Sequence, residues 1–126
     1  MPVQGLRGAT SVDKNQPEAI LDATRILLEA LLQANPELQP QDLACALFTL
    51  TDDLNAAYPA AAARQMGWTD VPMLCAREIP VPGGLPTCLR VLLQWNTDLP
   101  QSAMRHVYLG NASQLRPDLV DKQTSH

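Results

Sequence analysis

The chain has 126 residues, of which 46% are hydrophobic and only 4% aromatic, and it carries a formal net charge of −4 at pH 7. This length allows one domain around a single aliphatic core, and the acidic balance argues against nucleic acid or an anionic membrane as the main partner. Seven of the nine cationic residues are arginine, whose planar fork matches carboxylates and phosphates, so the composition favours local recognition of an anion.

The first half of the chain is predicted to form a short strand and then a long helix. The strand over PVQGLRGATSV is expected to end in a Gly-containing turn. Asp13 or Asn15 can cap the helix that follows, and Pro17 fits its first turn. From Glu18 to Ala34 apolar residues recur at helical spacing, and Asn35-Pro36 ends the helix.

The rest of the chain is predicted to add four strands, a short helix and a tail. Leu43 to Thr51 is typical of a strand that is apolar on both faces, and Pro59 can start a helix that runs to about Met66. Further strands are expected over Val71 to Ile79, over Thr87 to Trp95 (extending to Thr97), and over MRHVYLG. Gly83 to Leu85 indicates a turn. Residues 111–126 are predicted to form a polar tail that is mobile at its end, and the whole chain, 1–126, is predicted to be one domain.

The fourth strand indicates that the sheet needs cover on both faces. Leu89, Val91 and Leu93 alternate with Cys88, Arg90 and Leu92, so both faces are largely apolar. One long helix and one short helix cannot cover five strands twice. We therefore expect the remaining face to be buried against other copies of the chain in a closed cyclic oligomer.

Targeting and metal-binding signals are absent from the sequence. The N-terminal segment MPVQGLRGAT has no apolar stretch typical of signal peptides, and no apolar run is long enough to span a bilayer. The three cysteines form no CxxC pair, which indicates reduced thiols of a cytoplasmic protein rather than disulfides or a zinc site. The two histidines lack metal-site spacing, so we expect no metal centre.

Two charges stand out within apolar strands: Glu78 and Arg90. The sequence contains no GxSxG, phosphate-binding loop or HExxH, so an enzyme with this sequence would act by electrostatics. A lone buried charge is costly, so each of the two charges needs a partner or a wet pocket. They can form a structural bridge with each other or with Arg77 and Asp98, or they can face a ligand, and both interpretations remain open.

Five further residues are weaker candidates for binding an anion, and each has an ordinary explanation. Arg7 lies where a strand is predicted to become a loop, and Tyr108 has a hydroxyl but suits strand packing. Arg64 suits the end of a short helix, Arg116 suits a solvated tail, and Cys75 suits a packed strand. These residues alone name no reaction.

Four motifs occur in the order RGATSV, YPAAAAR, GW…VPMLCAREIPVPGGLPTCLRVL and RHVYLGNASQLRPDL. Together they resemble the trimeric α/β-type chorismate mutases, the monofunctional class distinct from the all-helical one, over nearly the whole chain. The resemblance implies an α+β fold in which a mixed five-stranded sheet carries one long and one short helix. Three chains would pack their sheets into a pseudo α/β barrel, a homotrimer with active sites between neighbours.

The activity that this resemblance implies is the Claisen rearrangement of chorismate to prephenate, in phenylalanine and tyrosine biosynthesis, without a cofactor. Arg90 would donate to the ether oxygen and a carboxylate, while Glu78 would accept from the ring hydroxyl with Cys75 beside it. Arg7 and Tyr108 would bind the side-chain carboxylate. The other implied substrate-binding residues are Tyr58, Arg64, Met73 and Leu74 of the adjacent chain, and Leu115 and Arg116 of the tail, which would close over the pocket.

The sequence departs from the family pattern at two positions, and both changes are expected to affect substrate affinity more than the reaction itself. Tyr58 stands where many members have Phe, and Ala61 stands where some have a basic residue. The main rival is a trimeric carboxylate-binding or imine deaminase-like protein with an intersubunit Arg cleft. Glu78 counts against this rival, because a simple carboxylate clamp does not need it.

Overall fold

The structure is a computed structural model that describes residues 1–114, and these residues form five strands and two helices. The elements are β1 (Val3–Ser11), α1 (Pro17–Ala34), β2 (Leu43–Leu50), α2 (Ala60–Gln65), β3 (Met73–Arg77), β4 (Cys88–Asn96) and β5 (Val107–Leu109). Short 3₁₀ helices occupy Pro40–Asp42, Gln101–Ala103 and Gly110–Gln114. The first residues of the predicted tail thus have regular structure, and the remainder lies outside the described residues. Within the described chain, no helix is both long and apolar enough to cross a membrane.

The five strands form one mixed sheet in the order β3-β2-β4-β1-β5. The central strand β4 is antiparallel to both β1 and β2, while the outer strands β3 and β5 run parallel to the neighbours they join. The predicted α+β fold, with one long and one short helix, is therefore confirmed.

The hydrophobic core lies between the two helices and one face of the sheet. Helix α1 buries Ile20, Leu27, Leu28 and Leu31, all 0% exposed, as its helical spacing predicts. Strand β4 alternates as predicted, with Leu89, Val91, Leu93 and Trp95 buried. The opposite face, called here the open face, carries half-buried or exposed apolar side chains, among them Leu47, Leu74 and Leu92.

The prediction that β1 ends in a turn near Gly8 is wrong. Gly8 lies inside β1 on the helix-covered side, where a Cβ atom would come within 2.9 Å of Leu31 Cδ1 and 3.2 Å of Leu27 Cδ1. This glycine therefore serves close packing of helix on strand. Because β1 continues to Ser11, Arg7 is a mid-strand residue that pairs with Leu92, and not a residue at the start of a loop.

The predicted cap of α1 is also wrong, although its limits are close to those expected. Gln16 is the N-cap and makes no side-chain cap hydrogen bond, while Pro17 occupies the first turn as predicted. The Asn15 amide is engaged elsewhere: its Oδ1 accepts from the backbone N–H of Asn55 at 2.9 Å and of Ala56 at 3.0 Å. A tertiary contact with the loop before α2 thus replaces the local cap.

Strands β3 and β5 are shorter than predicted. Glu78 lies one residue beyond β3, yet its N–H still donates to the Leu50 carbonyl at 2.9 Å. Strand β5 starts only at Val107, because Arg105 before it is bonded through its backbone to the Asn35 side chain. The turn predicted at Gly83 is present: Gly84 N–H donates to Val81 O at 3.0 Å, and Gly83 has φ +82°.

Candidate active site

Four of the predicted site residues meet at one pocket on the open face of the sheet. Arg7, Glu78, Arg90 and Tyr108 all line this pocket of about 210 Å³, called here the Arg90 pocket. The register explains why they meet, since Ala9 pairs with Arg90 on one side and with Tyr108 on the other. Residues on three neighbouring strands and the segment after β3 therefore converge on one spot.

Glu78 and Arg90 are in contact, so the interpretation in which they pair with each other has a geometric basis. Arg90 Nε lies 3.5 Å from Glu78 Oε2, and the side chains are 34% and 20% exposed. The alternative in which Arg77 takes part in this bridge is wrong, because Arg77 Nε lies 3.5 Å from Asp52 Oδ1 instead. Glu78 Oε2 also accepts a hydrogen bond from the Thr49 hydroxyl, so this oxygen has two neighbours.

Two polar atoms in the Arg90 pocket are buried without a hydrogen-bond partner among the described residues. They are Arg90 Nε and Tyr108 Oη. The ion pair to Glu78 is too long to count as a hydrogen bond for Nε. Leaving such a donor unsatisfied costs about 1–3 kcal/mol, so both atoms indicate a place for a ligand with acceptor oxygens.

Cys88 belongs to a small buried cluster that includes two residues lining this pocket, Ala9 and Tyr108. It is 0% exposed, and the cluster also contains Ala112. Burial raises the pKa of the Cys88 thiol above its ordinary value, against the opposing influence of the Arg90 guanidinium. The thiol is therefore neutral at pH 7, and it supplies packing rather than a nucleophilic thiolate.

Tyr58 and Cys75 lie apart from the Arg90 pocket. Both line a second pocket of about 400 Å³ between β3 and the loop before α2. Cys75 packs against the main core on the helix-covered side, whereas Glu78 lines the Arg90 pocket, so the two side chains lie apart within one chain. Strand alternation is the reason, since residues 75 and 78 differ by an odd number of positions. Tyr58 is 73% exposed, which is high for a tyrosine ring.

The remaining predicted site residues lie away from the Arg90 pocket or beyond the described part of the chain. Arg64 is exposed in the last turn of α2. Met73 and Leu74 border an apolar hollow on the open face, together with Leu47 and Leu92. Leu115 and Arg116 lie outside the described residues.

Residues for which the sequence analysis predicted no role in the site hold both pockets in shape. Thr49 donates a hydrogen bond to Glu78. In the sequence it was marked only as a polar residue on the face of β2 that points away from the helices. Arg77 Nη1 donates to the carbonyls of Thr51 at 3.0 Å and Leu54 at 3.1 Å. Together with Asn15, Arg77 clamps the loop that carries Tyr58; no local pattern signals these long-range contacts.

The Arg90 pocket offers several donors for a small anion and one carboxylate that can accept from a hydroxyl group. Two arginines and a phenol offer donors for carboxylate or ether oxygens, and Glu78 offers an acceptor. In the described chain, no group of three or more His, Cys, Asp or Glu side chains could hold a metal ion.

Comparisons with known proteins agree on one family. A family model described as chorismate mutase type I matches residues 3–119. Chorismate mutase AroH of Thermus thermophilus is 54% identical over 121 residues, which cover 96% of this chain and 99% of that protein. Chorismate mutase AroH of Bacillus subtilis (strain 168) is 44% identical over 120 residues, 94% of each chain. A solved chorismate mutase from Clostridium thermocellum superposes with a TM-score of 0.84 at 43% identity, covering 87% of this chain and 97% of that one.

Proposed function

The chain belongs to the chorismate mutase type I family, and we propose that it converts chorismate to prephenate at the Arg90 pocket. This reaction is an isomerisation in the biosynthesis of phenylalanine and tyrosine. The family match and the relatives cover nearly the whole chain, which supports the mutase over the carboxylate-binding or imine deaminase-like rival. The observation that carries the assignment of the site is the convergence of Arg7, Glu78, Arg90 and Tyr108 on one pocket.

Arg90 acts on the charge that develops during the rearrangement. As the C–O bond breaks, negative charge grows on the ether oxygen while the ring gains positive character. The guanidinium donates to that oxygen and to a substrate carboxylate, an interaction that strengthens toward the transition state and so lowers the barrier. Its Nε is buried without a hydrogen-bond partner within residues 1–114, which supports this role.

Glu78, Arg7 and Tyr108 hold the substrate in the conformation that can react. Glu78 accepts from the ring hydroxyl, and its negative charge lies near the ring as that ring becomes more positive. Arg7 and Tyr108 bind the side-chain carboxylate and favour the compact, pseudo-diaxial conformer. Because the step is unimolecular, this selection of a reactive conformer is an orientation effect that adds to the charge effect.

A homotrimer with active sites between chains accounts for the site residues that lie apart in one chain. The open face is apolar, with Leu74 73% exposed, and a sheet face of this kind needs cover. If Tyr58, Arg64, Met73 and Leu74 of one chain face the Arg90 pocket of the next, both pockets become parts of one enclosed site. Leu115 and Arg116 would close it. The three free cysteines support a cytoplasmic location.

The activity is tested by adding chorismate to purified protein and following its absorbance. Prephenate is then identified by acid conversion to phenylpyruvate. Loss of chorismate well above the uncatalysed rate, with prephenate as the product, is the expected result. A folded protein without activity above background would refute the proposal.

The shared site is tested by mixing two defective variants in one assembly. Arg90→Ala and Arg64→Ala chains, carrying different tags, are co-expressed and the mixed trimers are purified. If each site takes Arg90 from one chain and Arg64 from its neighbour, one of the three sites in every mixed trimer regains both arginines. The kcat/KM of the mixture then exceeds the mean of the two parent variants. A value equal to that mean would place both arginines in one chain's site.

A further inference from the structure

Thr49 occupies a position in the Arg90 pocket that no family motif identified. It lies on β2 directly opposite Arg90 on β4 and is half-buried in the pocket wall. Its hydroxyl donates to Glu78 Oε2, the same oxygen that lies 3.5 Å from Arg90 Nε. Two donors therefore compete for one carboxylate oxygen, and the hydroxyl is the one that makes the hydrogen bond.

We propose that Thr49 is a positioning residue that holds Glu78 away from Arg90, so that both charges remain available to the substrate. This inference rests on the proposed function of the Arg90 pocket. Glu78 Oε1 takes part in neither contact and is left to accept from the substrate hydroxyl. Arg90 Nε keeps its capacity to donate, consistent with the absence of a hydrogen-bond partner for it among the described residues.

The physical reason is that the empty pocket favours collapse of the ion pair. Opposite charges in a partly desolvated site attract strongly, and a direct charge-assisted bond would satisfy both groups without any ligand. A threonine resists this collapse well, because the β-branched side chain is restricted at χ1 and so directs its hydroxyl. Without the hydroxyl, Glu78 would move onto Arg90, and the substrate would have to break that bond.

The test compares Thr49→Val, which keeps the side-chain shape but removes the hydroxyl, with Thr49→Ser, which keeps the hydroxyl. Loss of a hydrogen bond to a charged group predicts that kcat falls roughly tenfold in Thr49→Val. Thr49→Ser should recover most of that loss. Thr69→Val, at an exposed turn position after α2, is the matched control and should retain the kcat of the unsubstituted chain. Circular dichroism and mass measurement establish that every variant is folded and assembled.

A second readout separates positioning of Glu78 from a general structural role. If Thr49 acts through Glu78, Thr49→Val should change kcat by less than twofold when Glu78 is already Ala. An equal loss of kcat in both backgrounds would overturn the proposal, as would full activity of Thr49→Val or failure of Thr49→Ser to recover. Inactivity of the unsubstituted, folded chain toward chorismate would instead refute the function itself, and this inference with it.

Discussion

Replacement of Arg90 is the most direct test of the proposed electrostatic mechanism. Arg90→Ala removes the donors aimed at the ether oxygen, and loss of one such donor typically raises the barrier by about 3–4 kcal/mol. We therefore expect kcat to fall by roughly two to three orders of magnitude, with a smaller change in KM. The fold should survive, because Glu78 keeps its hydrogen bond from Thr49 and remains partly solvated.

Arg90→Lys distinguishes the shape of the guanidinium from its charge. A lysine ammonium keeps the positive charge but cannot present two parallel N–H donors, one to the ether oxygen and one to a carboxylate. We expect Arg90→Lys to retain little of the kcat. Near-normal turnover of this variant would refute the role assigned to Arg90, because a point charge would then be sufficient.

The assay for both variants is the initial rate of chorismate loss over a range of concentrations, which separates kcat from KM. Arg25 provides the matched control. It is an exposed arginine of α1 that lies 3.2 Å from Asp22 Oδ1 and 3.7 Å from Glu29 Oε1. Arg25→Ala and Arg25→Lys should leave kcat unchanged and alter the free energy of unfolding by less than about 1 kcal/mol.

Three further predictions address packing, assembly and the tail. Gly8→Ala should lower the free energy of unfolding by about 1–3 kcal/mol, because its Cβ would lie 2.9 Å from Leu31 Cδ1; an unchanged urea midpoint would contradict the packing argument. Leu74→Glu should yield folded monomers in sedimentation, since Leu74 is 73% exposed in the single chain but would be buried in the proposed trimer; a variant that still sediments as a trimer would exclude this residue from the interface. Arg116→Ala should raise KM with a modest effect on kcat, and the reverse pattern in steady-state kinetics would assign it a role in the chemical step.

Local sequence signals predicted much of the fold, but they failed at positions whose conformation is set by tertiary packing. Helix α1 has helical apolar spacing, a proline in its first turn and Asn35-Pro36 at its end, all of which are sequence-local. The sequence around Gly8 does not distinguish between two structures, because a glycine in a strand-like segment suits a turn as well as a close contact with a helix. Asn15 likewise has the residue type of a cap, but its partners lie about forty positions away.

The candidate site was predictable only as far as a motif or an anomalous charge marked it. Glu78 and Arg90 were conspicuous because they interrupt apolar strands, whereas Arg7 and Tyr108 were weak candidates until the family resemblance assigned them a role. Thr49 was not found, because its importance depends on the register that places it opposite Arg90, and register is set by the whole sheet. The family resemblance implied that Cys75 lies beside Glu78, whereas strand alternation directs the two side chains to opposite faces within one chain.

The contact between Glu78 and Arg90 does not by itself mean that the pair is a structural bridge. A bridge selected for stability would be expected to close to hydrogen-bond distance, because its desolvation cost is offset only by good geometry and satisfied donors. Here the two atoms stay 3.5 Å apart, the shared oxygen is bonded to Thr49, and Arg90 Nε and Tyr108 Oη have no hydrogen-bond partner among the described residues. A substrate with carboxylate and ether oxygens would satisfy both donors at once. The unsatisfied donors thus favour the ligand-facing interpretation over the structural one.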